Sequence, residues 1–343
     1  MADLARLGQD MGRKLVVALR ASLIPWILLL ILSFVQVGVT RYLILELGRH
    51  DAVLVAALHR EVLSNSAPSP AQYQMYPFAV AAQTVMEMLG LNDRVPQNAR
   101  RLALIYEAFY FFGNTALLIS LYSFLSRFGS SSSALLATTF FAALQPVLWW
   151  DNYHHPSDPW GLLLATLLAD RIYRREDDGR TLLLSLASGL VWEKHFLILP
   201  LYLVYRFRDE DKRHVVVFAF VLGVTAVAGQ VFYRLYFGFH REWAGPTLSH
   251  NLGFYMLVGF VLTYVILFGL ALLATAQFWR VLGFFHKAVL VAVALLPCLY
   301  LAFGGRLGEA RGYVVLVPLL YPALTFGIDR WLATPRSEDD SVG

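Results

Sequence analysis

The segment Leu252-Gly-Phe-Tyr-Met-Leu-Val-Gly-Phe-Val-Leu-Thr-Tyr-Val-Ile-Leu-Phe-Gly-Leu-Ala-Leu-Leu-Ala-Thr-Ala-Gln-Phe278 contains no charged residue. A helix needs about 20 apolar residues to cross the hydrocarbon core of a bilayer. The chain has six further runs of comparable length and one shorter run, at 22–41, 102–125, 134–150, 215–234, 288–303, 313–331 and, for the shorter one, 160–170. The sequence therefore predicts an all-α, polytopic helical membrane protein with about eight full spans.

The composition agrees with this prediction. Hydrophobic residues make up 58% of the 343 residues and charged residues 15%, against about 25% charged in an average soluble domain. The mean hydropathy is +0.56. These values exclude a disordered chain and an ordinary cytosolic enzyme, because such an apolar protein could not cover its surface with polar groups. We expect residues 1–343 to form a single integral membrane domain with a disordered cytoplasmic tail at 335–343.

The charge balance and the cysteine content restrict the function further. The formal net charge is +4, which in a membrane protein is typical of basic loops at anionic lipid headgroups. We therefore expect membrane lipids as partners, and no nucleic acid. The single cysteine, Cys298, lies in an apolar run and cannot form an intrachain disulfide. We interpret it as a packing residue.

The segment 181–205 is ambiguous, because the charged residues of Trp192-Glu193-Lys194-His195 interrupt an otherwise apolar stretch. It is either a continuous span or a short hairpin that enters and leaves the membrane on one side. The positive-inside rule separates the two arrangements. With a hairpin, 17 Lys and Arg residues are cytoplasmic and 10 are outside, whereas a continuous span gives 13 and 14. The count favours the hairpin, with both termini cytoplasmic.

The first outer loop, 42–101, is long and contains two helical patterns. From His50 to Leu63, apolar residues recur three and four positions apart, which is typical of an amphipathic helix. The second stretch, 72–91, contains Tyr76-Pro77. A span there would move the basic loop Arg171–Arg180 to the outside. We therefore predict interfacial helices in this loop.

The hairpin arrangement places the unusual polar segments on the outer face. Asp51 follows the first span, and it is either a general base or the N-cap of the next helix. Trp149–Trp160 contains Asp151, His154, His155 and Asp158, which are suited to metal or proton chemistry. The alternative is an interfacial turn in which Ser157 and Asp158 cap the next helix.

Two further outer segments contain charged side chains suited to phosphate binding. Glu193-Lys194-His195 places ionisable groups at membrane depth, where Lys194 is able to bind a phosphate and Glu193 to pair with it. The alternative is a Glu–Lys pair that fixes the hairpin. Gly304–Gly312 contains Arg306, Glu309 and Arg311, which form either a phosphate grip or a glycine-rich turn with snorkelling arginines.

These features together resemble the GT-C superfamily of integral membrane glycosyltransferases, and in particular small bacterial members from polysaccharide gene clusters. The resemblance rests on Asp51, on the loop helix with Tyr76-Pro77, on Tyr153–Asp158, on Trp192–His195, and on Glu309-Ala310-Arg311 followed by Pro318–Pro322. It implies transfer of a sugar from a polyprenyl-phosphate-linked donor on the extracytoplasmic face, with Asp51 as the catalytic base. It also implies an inner-membrane protein of cell-envelope or polysaccharide biosynthesis.

On this interpretation, the substrate-binding residues are His154, His155, Asp158, Glu193, Lys194, His195, Arg306, Glu309 and Arg311. We expect no definite cofactor, although Asp151 and His154 are candidate ligands of a divalent metal. Two alternatives remain open, a transporter or flippase of a lipid-linked saccharide and a non-catalytic subunit of an envelope assembly.

Overall fold

The structure is a computed structural model that describes residues 23–39, 52–64, 74–91, 98–148, 156–191, 198–237, 254–302 and 313–333. Within these ranges the regular structure is helical and there is no β-strand. The predicted all-α fold class is therefore confirmed for the described part of the chain.

The described helices follow the predicted apolar runs closely. They are α1 (Leu23–Val39), α2 (Ala52–Leu63), α3 (Tyr76–Met88), α4 (Ala99–Leu125), α5 (Ser131–Leu148), α6 (Ser157–Arg174), α7 (Gly179–Val191), α8 (Ile198–Arg206), α9 (Lys212–Phe237), α10 (Phe254–Gln277), α11 (Phe284–Ala302) and α12 (Val317–Ala333). A short 3₁₀ helix, Val314–Leu316, leads into α12.

Four segments are long and apolar enough to cross a membrane, as expected of a membrane protein. They are Ala99–Leu125, Lys212–Tyr233, Leu257–Gln277 and Val314–Ala333. The predicted number of about eight full spans is not confirmed. Fewer helices in the described residues have the length and the apolar composition that a span needs. One reason is that α6 carries four charged side chains in 18 residues, at Asp158, Asp170, Arg171 and Arg174.

The four segments differ in how deeply they are buried. We compared the most apolar stretch of 18 residues in each segment. In the segment that contains α12, 72% of these residues are buried, whereas in α10 only 28% are buried. The outward surface of α10 is apolar, since Val261, Val265 and Leu273 are exposed. An apolar exposed surface is suited to lipid, which needs no polar cover. Helix α12 therefore lies at the centre of the bundle and α10 at its apolar outer edge.

Polar contacts join several helix ends at one end of the bundle. Arg127, after α4, pairs with Asp170 near the end of α6 at 2.7 Å. The Nη2 of Arg175, after α6, lies 2.6 Å from the Oδ2 of Asp209, after α8. The indole of Trp331 in α12 donates to the Oε1 of Gln277, the last residue of α10, at 2.8 Å. We call this end the charged end. It comprises the C-terminal turn of α12 and residues 126–130, 175–178, 207–211 and 278–283.

Asp178 at the charged end caps α7. Its Oδ1 accepts a hydrogen bond from the backbone N–H of Thr181 at 3.0 Å, and its carboxylate pairs with Arg171 at 2.6 Å. The hydrogen bond from Thr181 and, next, the Arg171 guanidinium hold the pKa of Asp178 below its ordinary value. An aspartate is favoured at this position because it satisfies an N–H of the first helical turn.

From α4 to α12 the helices alternate in direction between the charged end and the opposite end. The guanidinium of Arg208 lies 4.7 Å from the ring centre of Phe284, which places the start of α11 at the charged end. Trp26 in α1 contacts Tyr122 near the end of α4, so α1 also begins there. Within the described residues, the first helix thus begins and the last helix ends at the charged end.

Helices α7 and α8 leave the charged end and return to it. Their 13 and 9 residues correspond to about 20 and 14 Å of helix, too short for a ~30 Å core. Asp177, just before α7, accepts hydrogen bonds from the Nη1 and Nη2 of Arg206, the last residue of α8, at 3.0 and 2.9 Å. This is the arrangement that the hairpin interpretation predicts and a continuous span does not.

The helices of the first loop pack on the opposite half of the bundle. Buried residues of α2 and α3, among them Val62 and Met86, form an apolar cluster with Leu102 and Tyr106 in the first turns of α4. We call α2, α3 and residues 99–106 of α4 the cap. Both predicted loop helices are confirmed as helices, and α3 (13 residues) is too short to span a membrane.

Candidate functional site

The helices that flank the predicted polar segments meet at the end of the bundle opposite the charged end. The indole of Trp160 in α6 donates to the carbonyl of Phe109 in α4 at 2.9 Å, so α6 begins in the cap half. Val191, the last residue of α7, packs against the cap. The ring of Tyr313, before α12, lies 5.7 Å from that of Phe260 near the start of α10. The segments 149–155, 192–197, 238–253 and 303–312 therefore all connect helices at this end.

Asp158 is the one predicted site residue within the described part of the chain. The others lie outside it, namely Asp51, Asp151, His154, His155, Glu193, Lys194, His195, Arg306, Glu309 and Arg311. Asp51 directly precedes α2, and the remaining nine belong to segments that connect helices at the end opposite the charged end.

Asp158 is buried in the first turn of α6, next to the buried Ser157. The predicted capping role of these two residues is wrong. The N-cap position is Pro156, and no side-chain cap hydrogen bond forms there. A carboxylate in the first turn is favourable because it faces the positive end of the helix dipole.

Tyr110, Gln145 and Asp158 lie at similar distances along their helices from the charged end. Counted from the helix ends at the charged end, Tyr110 is 15 residues along α4, Gln145 is 14 along α5 and Asp158 is 16 along α6. At 1.5 Å per residue, these positions are ~21–24 Å from that end. All three side chains are buried, and their helices all contact α12. We call Tyr110, Gln145, Ser157 and Asp158 the polar layer.

The polar layer contains hydrogen-bonding groups that the described residues do not satisfy. Both amide atoms of Gln145, and the Oγ of Ser157, are buried and have no hydrogen-bond partner in the described part of the chain. Leaving such a group unpaired costs about 1–3 kcal/mol. A polar guest would remove this penalty, so the layer is suited to binding hydroxyl or amide groups. The sequence analysis missed Gln145, although a Gln-Pro pair inside an apolar run was a visible signal.

Trp160 fixes the beginning of α6, and with it the position of Asp158. Its indole lies over Gly113 of α4, where an added Cβ would come within 2.5 Å of the ring. The ring also contacts Phe78 of the cap at 6.4 Å. Only glycine at 113 leaves room for this close approach. The cap, α4 and α6 are therefore held together directly above the polar layer.

A second buried polar cluster, which the sequence analysis did not identify, joins the three helices of the cap. The Nδ1 of His59 in α2 lies 3.0 Å from the hydroxyl of Tyr106, and its Nε2 lies 3.2 Å from the Oε1 of Gln83. Because Gln83 Oε1 is an acceptor, Nε2 carries the proton and Nδ1 accepts from Tyr106. This cluster fixes the helix that directly follows Asp51.

The described residues do not contain a group of three or more His, Cys, Asp or Glu side chains placed to hold a metal ion. The candidate metal ligands Asp151 and His154 lie outside the described residues. The metal prediction is therefore untested.

No protein-family model matches this chain, and neither a curated protein nor a solved structure is detectably similar to it. The arguments for function consequently rest on this chain's own residues.

Proposed function

We propose that this protein is an inverting membrane glycosyltransferase of GT-C type. It transfers a sugar from a polyprenyl-phosphate-linked donor on the extracytoplasmic side of a bacterial inner membrane, in cell-envelope or polysaccharide biosynthesis. The observation that carries the proposal is the separation of the two ends of an apolar bundle. Ion pairs between loops occupy one end, while the helices that flank all the predicted polar segments meet at the other.

The proposed roles follow the two demands of the reaction. The acceptor hydroxyl must lose a proton, and Asp51 at the start of the cap is the base. Negative charge on the leaving phosphate must be stabilised by the cations Lys194, Arg306 and Arg311. Glu193 and His195 flank Lys194, and Glu309 orients an arginine.

The acceptor, or a divalent metal, is bound by His154, His155 and Asp158. The buried polar layer supports this part of the proposal, because Asp158 and Gln145 are both buried at similar distances along their helices from the charged end. On this proposal, the charged end is cytoplasmic and the lipid-linked donor enters from the surrounding bilayer.

The test is a transfer assay in proteoliposomes with radiolabelled polyprenyl phosphate sugars. Asp51→Asn removes the base, so transfer should fall by at least 100-fold. Glu61→Gln, which removes an exposed carboxylate from the same loop, is the matched control and should keep full activity. Full activity of Asp51→Asn contradicts the base assignment. If the wild-type protein moves the labelled lipid across the membrane without transferring the sugar, it is a transporter and the proposal fails.

A further inference from the structure

The turn between α10 and α11, residues 278–283, differs in charge from the other loops of the charged end. The two helices and their turn contain Arg280 and Lys287 but no aspartate or glutamate. In the loop between α6 and α7, by contrast, the cations are paired, as Arg171 is with Asp178 at 2.6 Å. Helices α10 and α11 and their turn therefore carry a positive charge that no acidic residue among them neutralises.

Lys287 is held by an aromatic ring instead of a carboxylate. Its Nζ lies 5.2 Å from the ring centre of Trp279 in a cation–π contact. Such a contact orients an ammonium group without removing its charge. Arg280, the neighbour of Trp279, is exposed. Neither cation is paired with a carboxylate in the described part of the chain, so both are able to bind an anion.

Helix α12 fixes the position of this turn. The ring of Phe278 lies 5.8 Å from that of Phe326 and 6.2 Å from that of Trp331, both in α12. The backbone N–H groups of Val281 and Leu282 both donate to the carbonyl of Phe278 at 3.0 Å. The two cations are therefore carried by a turn that is already ordered, and a ligand need not order it.

An apolar outer surface leads up to this turn. Leu270 and Leu273, in the last two turns of α10, are exposed, and so is Val281 in the turn itself. The indole of Trp279 is also exposed. Tryptophan is enriched at the boundary between the hydrocarbon of a membrane and water. Exposed aliphatic side chains are thus followed by an exposed indole and then by two cations.

We propose that the α10–α11 turn binds an anionic phospholipid. Its acyl chains lie along the outer surface of α10, Trp279 lies beside the glycerol linkage, and Arg280 and Lys287 bind the phosphate. An acidic peptide or a free phosphate matches the two cations but leaves the apolar surface of α10 uncovered. The site lies at the charged end, so the proposal does not depend on the proposed function.

The test is native mass spectrometry of the purified full-length protein in mild detergent, titrated with phosphatidylglycerol or with zwitterionic phosphatidylcholine. The wild-type protein should bind phosphatidylglycerol about tenfold more tightly or better, because each cation near the headgroup favours negative charge. Arg280→Gln/Lys287→Gln removes both cations and should weaken phosphatidylglycerol binding by about 30-fold. Binding of phosphatidylcholine should stay the same.

The matched control is Arg174→Gln/Arg180→Gln. It removes two exposed arginines from the same end of the bundle, at the end of α6 and the beginning of α7. Phosphatidylglycerol binding should change by less than about threefold, because salt screens charges that do not touch the headgroup. Equal affinity of the wild-type protein for the two lipids, or equal losses in the two double variants, overturns the proposal.

A second measurement locates the lipid through its chains. Phosphatidylglycerol brominated in its acyl chains quenches the fluorescence of tryptophans that it contacts, and it should quench the wild-type protein more than brominated phosphatidylcholine does. Trp279→Phe should remove most of this excess, whereas Trp160→Phe, in the cap half, should leave it unchanged. An excess that is absent, or that survives in Trp279→Phe, contradicts the assigned position.

Glycerol 3-phosphate distinguishes a lipid from a free anion. It carries the phosphate without acyl chains, so it should not displace phosphatidylglycerol at equal concentration. Displacement at equal concentration shows that the two cations alone bind phosphate, and the lipid site is then wrong.

Discussion

Polar side chains inside this bundle follow two patterns at the scale of single residues. Asn114 of α4 is buried and donates to the Oγ of Ser33 and the Oε1 of Gln36 in α1, so it joins two helices. Gln145 of α5 is equally buried, but neither amide atom has a partner in the described residues. The first pattern is typical of interhelical packing in membranes. The second leaves an amide able to bond to a polar group from outside the described residues.

The two patterns predict opposite results for matched substitutions. Gln145→Leu removes unsatisfied groups, so the free energy of unfolding should stay the same or rise, while sugar transfer falls at least tenfold. Asn114→Leu leaves Ser33 and Gln36 without this donor and should lower the free energy of unfolding by about 1–3 kcal/mol. Denaturation in mild detergent and the transfer assay check both. A Gln145→Leu protein that transfers at the wild-type rate has no ligand at this position.

At the scale of elements, the α7–α8 hairpin depends on a buried ion pair. Asp177 and Arg206 are 6% and 4% exposed in their side chains, and Asp177 also accepts from the hydroxyl of Tyr202 at 2.7 Å. In the sequence, the count of Lys and Arg residues in the loops predicted that the hairpin returns to the side on which it starts. Which carboxylate joins its two ends did not follow from sequence, because six acidic residues lie in the two adjoining loops.

Removing one member of this buried pair should unfold the hairpin. Asp177→Ala leaves Arg206 buried with part of its pairing lost, so we expect the free energy of unfolding to fall by about 3–5 kcal/mol. Asp209→Ala breaks the more exposed pair with Arg175 and should cost at most about 1 kcal/mol. Chemical denaturation of the purified variants measures both values. Similar losses in the two variants would show that Asp177 has no special role.

At the scale of the whole molecule, the proposed function requires the cap and the charged end to lie on opposite sides of the membrane. Met88 at the end of α3 is 82% exposed, and the side chain of Arg208 at the charged end is 60% exposed. Neither side chain is covered by other residues of the protein, so each position is suited to a labelling experiment. The completely buried Thr166, in the middle of α6, offers a matched position that should react from neither side.

Labelling of intact cells with a membrane-impermeant maleimide tests this orientation. In a Cys298→Ser background, Met88→Cys should react from outside and Arg208→Cys only after the membrane is permeabilised. Thr166→Cys should stay unlabelled, because the side chain at this position is completely buried within the bundle. Labelling of Met88→Cys and Arg208→Cys from the same side would contradict the proposed topology.

The sequence by itself determined the helical class, the approximate limits of the long helices and the existence of helices in the first loop. These features follow from the length and period of apolar runs, which are local properties of the chain. It also favoured a hairpin over a continuous span at 181–205, because the count of basic residues is summed over all loops, and the contact between Asp177 and Arg206 in the structure agrees with the hairpin.

Only the tertiary structure decided which polar residues share a depth and which are paired. Gln145 and Asp158 are 13 positions apart in sequence and stand on different helices, and Gln230 and Tyr233 meet α7 across 41 and 43 positions. No period in the sequence encodes such pairs, since they depend on how each helix is rotated about its axis. Rotation is fixed by close contacts such as Gly229 against Gly189, and these exist only once the helices have packed.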